Sequence, residues 1–512
     1  MSFDLHSATV RSLLEFRAAH DPNSVFVLSP ESGRQLSFSE LGQSAREHAA
    51  FLSAHGIAPG AHVGMLLPNG LQAVRIFVAT MAASRVVVPL SLIAQAEQLA
   101  YVIEHADCVA IFVAHEYDER LRLALQAVKR PVQVVVIDPD QLEVQASEEL
   151  PDSPDASPQA DDVALLMYTS GTTGRPKGVL LSHRNVLSGA RFVSESHGLG
   201  AADRVLAVLP MYHINAQIVT VLAPLFHGGS LVMPQRYSTH AFWSLADEWK
   251  CTWINVVPTI IAFLLADAAE RNAPQPVERS RLKFCRSASA PLPPEHHRAF
   301  EQRFAISVLE TMGLTETAAP VFTNPREETQ RKIGSPGQAF GCTARVIDFD
   351  SGCENHNGIP GEIVIRGPNV TAGYYKAAEE TRRTFTEDGW LRTGDLGYRD
   401  DDGFYFITGR LKELIIKGGE NIAPREVDEV LLQHPSVLEA ATVGVPDPLY
   451  GQEILAGIVL RPGAECSESV LTDFCRKRLG AFKTPRYVRY LSELPKGPSG
   501  KVQRLRLLDS LA

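Results

Sequence analysis

Three glycines, four hydroxyl side chains and a lysine fall within eleven residues at Tyr168-Thr-Ser-Gly-Thr-Thr-Gly-Arg-Pro-Lys-Gly178, directly after the apolar run VALLMYTS. Glycines let a backbone turn tightly and aim its N–H groups at an anion, while hydroxyls and a lysine add donors and charge. That set suits the phosphates of a nucleoside triphosphate. It is not a Walker loop, where the lysine sits between Gly and Ser or Thr; here Pro176 precedes Lys177 and Gly178 follows it. A Gly/Ser/Thr-rich stretch alone reads equally as a polar turn, and its position after a buried strand favours the phosphate reading. Two other places have chemical potential but bland meanings in isolation. Asp395 in Thr393-Gly-Asp395 would be a turn residue, and Lys501, close to the end in Gly-Pro-Ser-Gly-Lys, would be a solvated tail lysine.

The elements that must position these residues are legible in the apolar patterning. Between 60 and 138, HVGMLL, RVVVPL, VAIFVA and QVVVID read as buried strands separated by amphipathic helices, an α/β sheet with helices on its faces. Residues 139 to 162 carry eight acids and four prolines but no Lys or Arg, and are expected to form a solvated connector within the large domain. The αβ alternation resumes from 163 to about 330, with VALLMYTS, RVLAVLP, GSLVMP and TWINVVP as strands and 185–195 and 242–249 as helices. Between about 335 and 408, ARVIDFD, GEIVIRG and GFYFITG suggest an antiparallel sheet or small β-barrel. From 413 onward a helix at 425–432 alternates with ATVGVP and AGIVLR, as in a small α+β domain. The expected organisation is 1–408 as an N-terminal α/β domain, 409–412 as a hinge, and 413–512 as a mobile C-terminal domain.

Composition removes several functions. The 512 residues are 45% hydrophobic and 21% charged, with a formal charge of -10. A mildly acidic chain without basic blocks is a poor ligand for nucleic acid or an anionic membrane. Cys108, Cys251, Cys285, Cys342, Cys353, Cys466 and Cys475 are scattered, odd in number and never in a C-x-x-C pair, which argues against disulfides and zinc and for a reducing cytoplasm. The start MSFDLHSATVRSLLEF lacks the charged and apolar regions of a secretory signal; Val10, Leu13 and Leu14 share one face of an expected surface helix. The most apolar region, 77–94, is broken by Arg85 and Pro89 and is not expected to span a membrane.

The phosphate loop resembles the signature of the adenylate-forming superfamily of acyl-CoA synthetases, peptide-synthetase adenylation domains and luciferases. The family's other motifs follow in order: Met211-Tyr-His213, Gly313-Leu-Thr-Glu316, Thr393-Gly-Asp395, Gly409-Arg-Leu-Lys-Glu413, Gly418-Gly-Glu-Asn421 and Pro495-Lys-Gly-Pro-Ser-Gly-Lys501. The resemblance implies ATP-dependent activation of a carboxylate as acyl-AMP, then transfer to the thiol of coenzyme A. It implies that Thr169, Ser170, Gly171, Thr172, Thr173, Gly174 and Lys177 hold the β- and γ-phosphates. Thr315 would touch the α-phosphate, and Glu316 would bind Mg²⁺ together with loop hydroxyls. Asp395 would hold the ribose hydroxyls with Arg410 in support. Met312 stands where the family usually stacks an aromatic ring on adenine, and its polarisable sulfur can cover that face. Lys501 would bridge the acid's carboxylate and the α-phosphate, stabilising charge in the transition state. Lys412 matches the hinge about which the small domain takes two orientations, and Lys417, Gly418 and Gly419 match the segment lining the pantetheine tunnel. The Gly-Gly-Glu-Asn form, and the lack of a carrier-protein domain after Ala512, favour coenzyme A as acceptor.

The acid pocket is expected from three segments: 211–215, 285–291 and the stretch after Glu316. His213, Asn215, Arg286, Ser287 and Ser289, beside Ala290, are more polar than a fatty-acid slot requires. The pattern is most similar to the oxalyl-CoA synthetase branch, which implies a small polar or dianionic acid. Asn215 and Ala319 stand where those enzymes carry histidines, which opens the choice to a differently shaped acid such as sulfoacetate. Arg286 has an equal alternative as a structural residue at a strand end. The competing functions are a stand-alone adenylation domain loading a carrier protein, a ligase for a medium-chain or aromatic acid, a nucleotide-binding protein without catalysis and, more remotely, a light-emitting oxidase. Retention of both Lys501 and Glu316 speaks against loss of catalysis.

Overall fold

The computed structural model describes residues 7–140, 157–169, 176–270, 281–496 and 502–511. Most of the acidic connector (141–156) lies outside them, as do Ser170, Gly171, Thr172, Thr173, Gly174 and Lys501.

Strands built from continuous apolar runs need cover on both faces, and helices supply it. One sheet has seven strands in the order Gly373–Tyr374, Lys177–Ser182, Val163–Thr169, Val86–Pro89, His62–Leu66, Cys108–Ala114 and Gln133–Ile137. The last five are parallel, and Lys177–Ser182 folds back antiparallel on Val163–Thr169. A nine-stranded sheet has a parallel centre of Val308–Leu314, Phe284–Ser287, Trp253–Val256, Arg204–Ala207, Ser230–Val232 and Val25–Leu28. Antiparallel strands close its margins, Ala319–Thr323 and Gln338–Ala339 at one side and Gln35–Ser37 at the other. In such a sheet, the loops that leave the carboxyl ends of the strands form the natural binding edge.

The helix Val10–His20 buries Val10, Leu13 and Leu14 as the pattern predicts. Every residue of the helix Leu71–Ala82 is buried, including Arg75, whose Nε donates to Gln72. Among the described residues no helix is long and apolar enough to cross a membrane. The helix expected from Asn185 starts at His183, because Ser182 caps it: the Ser182 hydroxyl accepts the Asn185 N–H, and the Asn185 amide oxygen accepts the Ser182 N–H.

The chain divides into two compact units: Met1–Thr343 with Arg366–Leu391, and Ala344–Ile365 with Arg392–Ala512. Both large sheets belong to the first. The second has a four-stranded sheet in the order Thr343–Ile347, Gly361–Arg366, Leu391–Arg399, Tyr405–Arg410. It also has a five-stranded sheet centred on Gly451–Leu460, flanked by Ile415–Lys417, Val437–Asp447 and Tyr487–Tyr490. Residues 409–412 lie inside this unit, where the Arg425 guanidinium donates to the Ile407 carbonyl across them.

In the first unit, one turn is over-determined. After the short helix Thr315–Thr317, Ala318 and Ala319 both take positive φ, 46° and 74°. Left-handed backbone costs an alanine roughly 1–2 kcal/mol. The turn is held by the Thr317 hydroxyl, which donates to the Ala319 carbonyl at 2.8 Å, and by Asn369 Nδ2, which donates to the Thr317 carbonyl at 2.9 Å. Glycine at 189 lets the helix His183–Ser196 approach: a Cβ there would lie 2.1 Å from the Ala318 carbonyl oxygen. Gly189→Ala should therefore destabilise the protein by about 1–3 kcal/mol despite alanine's better helix propensity. Denaturant unfolding checks this; an unchanged or higher midpoint would contradict it.

Candidate active site

Thr169 and Lys177 are register partners at the open end of the hairpin Val163–Thr169/Lys177–Ser182. The candidate phosphate segment thus falls between two antiparallel strands, whose ends are braced. The Tyr101 hydroxyl donates to the Pro176 carbonyl at 3.4 Å, and Tyr168 and His105 share a hydrogen bond of 2.7 Å. Lys177 is half-buried; its ammonium pairs with Glu380 at 2.6 Å and sits 5.6 Å from the Tyr374 ring centre.

Tyr374 also reaches the turn at Glu316. Its hydroxyl donates to Glu316 Oε1 at 2.9 Å, and burial together with the Glu316 charge raises the phenol above its usual range, so it stays a donor. The Thr371 N–H donates to the Glu316 carbonyl at 2.8 Å. The segment 369–374 therefore fixes both the backbone and the carboxylate of Glu316 beside the strand that carries Lys177. Thr315 and Met312 are half-buried on the same strand and turn, Met312 being the register partner of Phe322.

The acid-pocket candidates gather at the carboxyl ends of parallel strands. Met211 is pinned by Asn69, which accepts from its N–H at 3.0 Å and donates to the Leu209 carbonyl, and Gln217 donates to the Met211 carbonyl at 2.7 Å. His213 is half-buried, its ring 4.5 Å from that of Tyr212. Asn215 opens a π-helix, Asn215–Leu222, a wide turn type frequent at functional sites. Arg286 sits inside the strand Phe284–Ser287 beside its register partner Asn255 and is 1% exposed. One guanidinium nitrogen donates to the amide oxygens of Asn215 at 3.1 Å and Asn255 at 3.0 Å. Asn255 Nδ2 donates to Asn215 Oδ1 at 3.2 Å, and Asn215 Nδ2 donates to Ser289 Oγ at 3.0 Å. Ser289 takes φ 73° and, like Ala290, is half-buried. Arg286 Nε and Ser287 Oγ are buried without a hydrogen-bond partner among the described residues. Burial pushes the Arg286 guanidinium down to about 9, which leaves it protonated at neutral pH.

The remaining candidates belong to the second unit. Asp395 is buried on the strand Leu391–Arg399 rather than in a turn, and its Oδ1 accepts from Arg410 Nε, its register partner, at 2.8 Å. Lys412 is exposed in the short helix Leu411–Glu413. Gly418 and Gly419 form the two-residue turn between Ile415–Lys417 and Glu420–Ile422, both at positive φ (55° and 85°). That turn type by itself calls for glycine. Lys417 is buried, its ammonium 2.8 Å from Glu453 and 2.9 Å from the Phe482 carbonyl, between the Tyr450 and Phe482 rings.

Comparison with known proteins gives a consistent picture. Residues 14–375 match the AMP-binding enzyme family model, and residues 426–501 match the AMP-binding enzyme C-terminal domain. A sulfoacetate–CoA ligase of Cupriavidus necator is 53% identical over 506 residues, covering 98% of this chain and 97% of that protein. An oxalate–CoA ligase of Arabidopsis thaliana is 35% identical over 510 residues, 98% of each chain. The o-succinylbenzoate coenzyme A synthetase of Bacillus subtilis, solved in complex with ATP and magnesium ion, superposes with a TM-score of 0.86 at 29% identity, over 97% of this chain and 99% of that one.

Asn255 and Tyr374 do not emerge from motif reading, yet Asn255 left a signal: it is the polar residue in the buried run TWINVVP, and a buried amide needs partners. Lys417 gains a structural role from its geometry. Lys417→Met would leave Glu453 buried and unpaired, a loss of about 3–5 kcal/mol, and Glu453→Leu added to it should recover most of that. Urea unfolding of the single and double variants checks this; a single variant as stable as the parent would contradict it.

Proposed function

The chain belongs to the AMP-binding enzyme family, and on that footing we propose that it is an AMP-forming acid–CoA ligase whose acid is short and carries a second anionic group, with sulfoacetate first and oxalate second. The observation that carries the reading is Arg286, a buried guanidinium whose hydrogen-bond partners are amides rather than a carboxylate. A cation held that way attracts an anion strongly, because little solvent screens it. A fatty or aromatic acid would bring only apolar surface to it.

In the proposed reaction a carboxylate oxygen of the acid attacks the α-phosphorus of ATP and pyrophosphate leaves; the thiol of coenzyme A then attacks the acyl carbon and AMP leaves. An ionised acid needs no base, so His213 lines the pocket rather than taking a proton. Thr169 to Lys177 hold the β- and γ-phosphates, which requires Lys177 to exchange Glu380 for phosphate oxygen. Thr315 meets the α-phosphate, Met312 covers adenine, and Asp395 with Arg410 holds the ribose. Lys501 bridges the two anions that must approach each other, and Lys412 is the hinge of the motion between half-reactions. Lys417, Gly418 and Gly419 border the path of the pantetheine.

The residues present fit Mg²⁺. This ion prefers one or two carboxylates with phosphate oxygens and waters over a cage of side chains. Glu316, turned by Tyr374 so that one oxygen is engaged and the other is left to coordinate, matches that preference. Bound with ATP, the ion supplies positive charge where phosphate charge develops.

Formation of AMP with ATP, Mg²⁺ and coenzyme A tests the reading across oxalate, sulfoacetate, malonate, acetate, octanoate and benzoate. Turnover confined to the short acids with a distal anion is expected. Turnover favouring octanoate or benzoate would discard the anionic pocket while keeping the ligase.

A further inference from the structure

The second amide beside Arg286 has no part in any motif. Asn255 is fully buried at the centre of a parallel strand, level with Arg286 on the neighbouring strand, and its Oδ1 lies 3.0 Å from the guanidinium. An aspartate would occupy the same space and make a charge-assisted hydrogen bond, the ordinary solution for a buried arginine. Asn215 presents a second neutral oxygen at 3.1 Å from the π-helix, and no ion pair to Arg286 occurs among the described residues. His197 also feels this charge: it is buried, and its protonation is disfavoured first by burial and then by Arg286. The amide oxygens accept from one guanidinium nitrogen but return no charge, and a buried uncompensated ion costs several kcal/mol.

We propose that Asn255 is a specificity-determining residue: by giving Arg286 a hydrogen bond without a counter-charge, it reserves that positive charge for the distal anion of the acid. The inference rests on the acid reading above and adds the residue that creates the selectivity. The hydrogen bonds impose a direction. Because Asn215 Oδ1 accepts from both Arg286 and Asn255, its Nδ2 must face Ser289, so the network runs from the buried cation to the strand's carboxyl end. Asn255 thus acts through Arg286 and needs no contact with the substrate.

Asn255→Asp is the test: it adds a negative charge at nearly unchanged size, exchanging the Asn255 donor to Asn215 for a second acceptor. The variant should fold with a thermal midpoint no lower than the parent, the new carboxylate compensating Arg286 within the chain. The ratio of kcat/KM for sulfoacetate to that for acetate should fall at least about 100-fold, carried by KM for sulfoacetate, since the distal anion now meets a neutral pair and a like charge. Should Asn255→Asp not fold, Asn215→Asp places the same charge from another element and should shift the ratio in the same direction. A parent that prefers sulfoacetate and a folded variant whose ratio stays within about threefold of it would overturn the role of Asn255 and leave the acid reading intact. A parent with no preference for the distal anion would overturn both.

Discussion

Burying a guanidinium inside a sheet is expensive unless something returns its charge, and the interior around Arg286 returns only hydrogen bonds. Several local features make sense as arrangements around that group. Parallel register sets Asn255 level with it, and the wide helical turn at Asn215 brings a second amide across the strand ends. Asn215 then passes the orientation on to Ser289 at the binding edge. Unlike an arginine closed off by an acid, this one is kept charged at neutral pH, with Nε bare of partners among the described residues.

The candidate phosphate side of the same unit follows a different logic. There the groups are already paired, Lys177 with Glu380 and Glu316 with Tyr374, so on the proposed reading ligand binding would exchange partners rather than supply a missing one. The strained backbone at Ala318 and Ala319 is tolerated because Gly189, Thr317 and Asn369 leave it no alternative, and the reward is a Glu316 carboxylate fixed close to the strand of Lys177. In the proposed reaction, rigidity at Glu316 and exchangeability at Lys177 would suit a site that first gathers triphosphate and then lets pyrophosphate go.

Much of this was legible in the residues. Apolar runs such as HVGMLL and TWINVVP predicted buried strands, and they are strands, the second even with the polar Asn255 inside it. Asp395 reads as a turn residue from Thr-Gly-Asp alone, but Gly394 takes the positive φ and leaves Asp395 on the strand opposite Arg410. The glycines at 418 and 419 read as space for a thin ligand, while the fold gives them a tight hairpin to close. What the pattern could not carry was pairing between distant segments. Nothing local ties Asn255 to Arg286, Tyr374 to Glu316 or Gly189 to Ala318; each pair is made by topology. The border between units was hidden for the same reason, since the four-stranded sheet is assembled from segments on both sides of Arg366–Leu391.

The measurement that bears most directly on the central claim is a crystal structure with a non-hydrolysable sulfoacetyl-adenylate mimic. Sulfonate oxygens are expected within hydrogen-bond distance of the Arg286 guanidinium, with Asn215 and Asn255 still bonded to it. A sulfonate bound elsewhere, with Arg286 unchanged between its two amides, would contradict it.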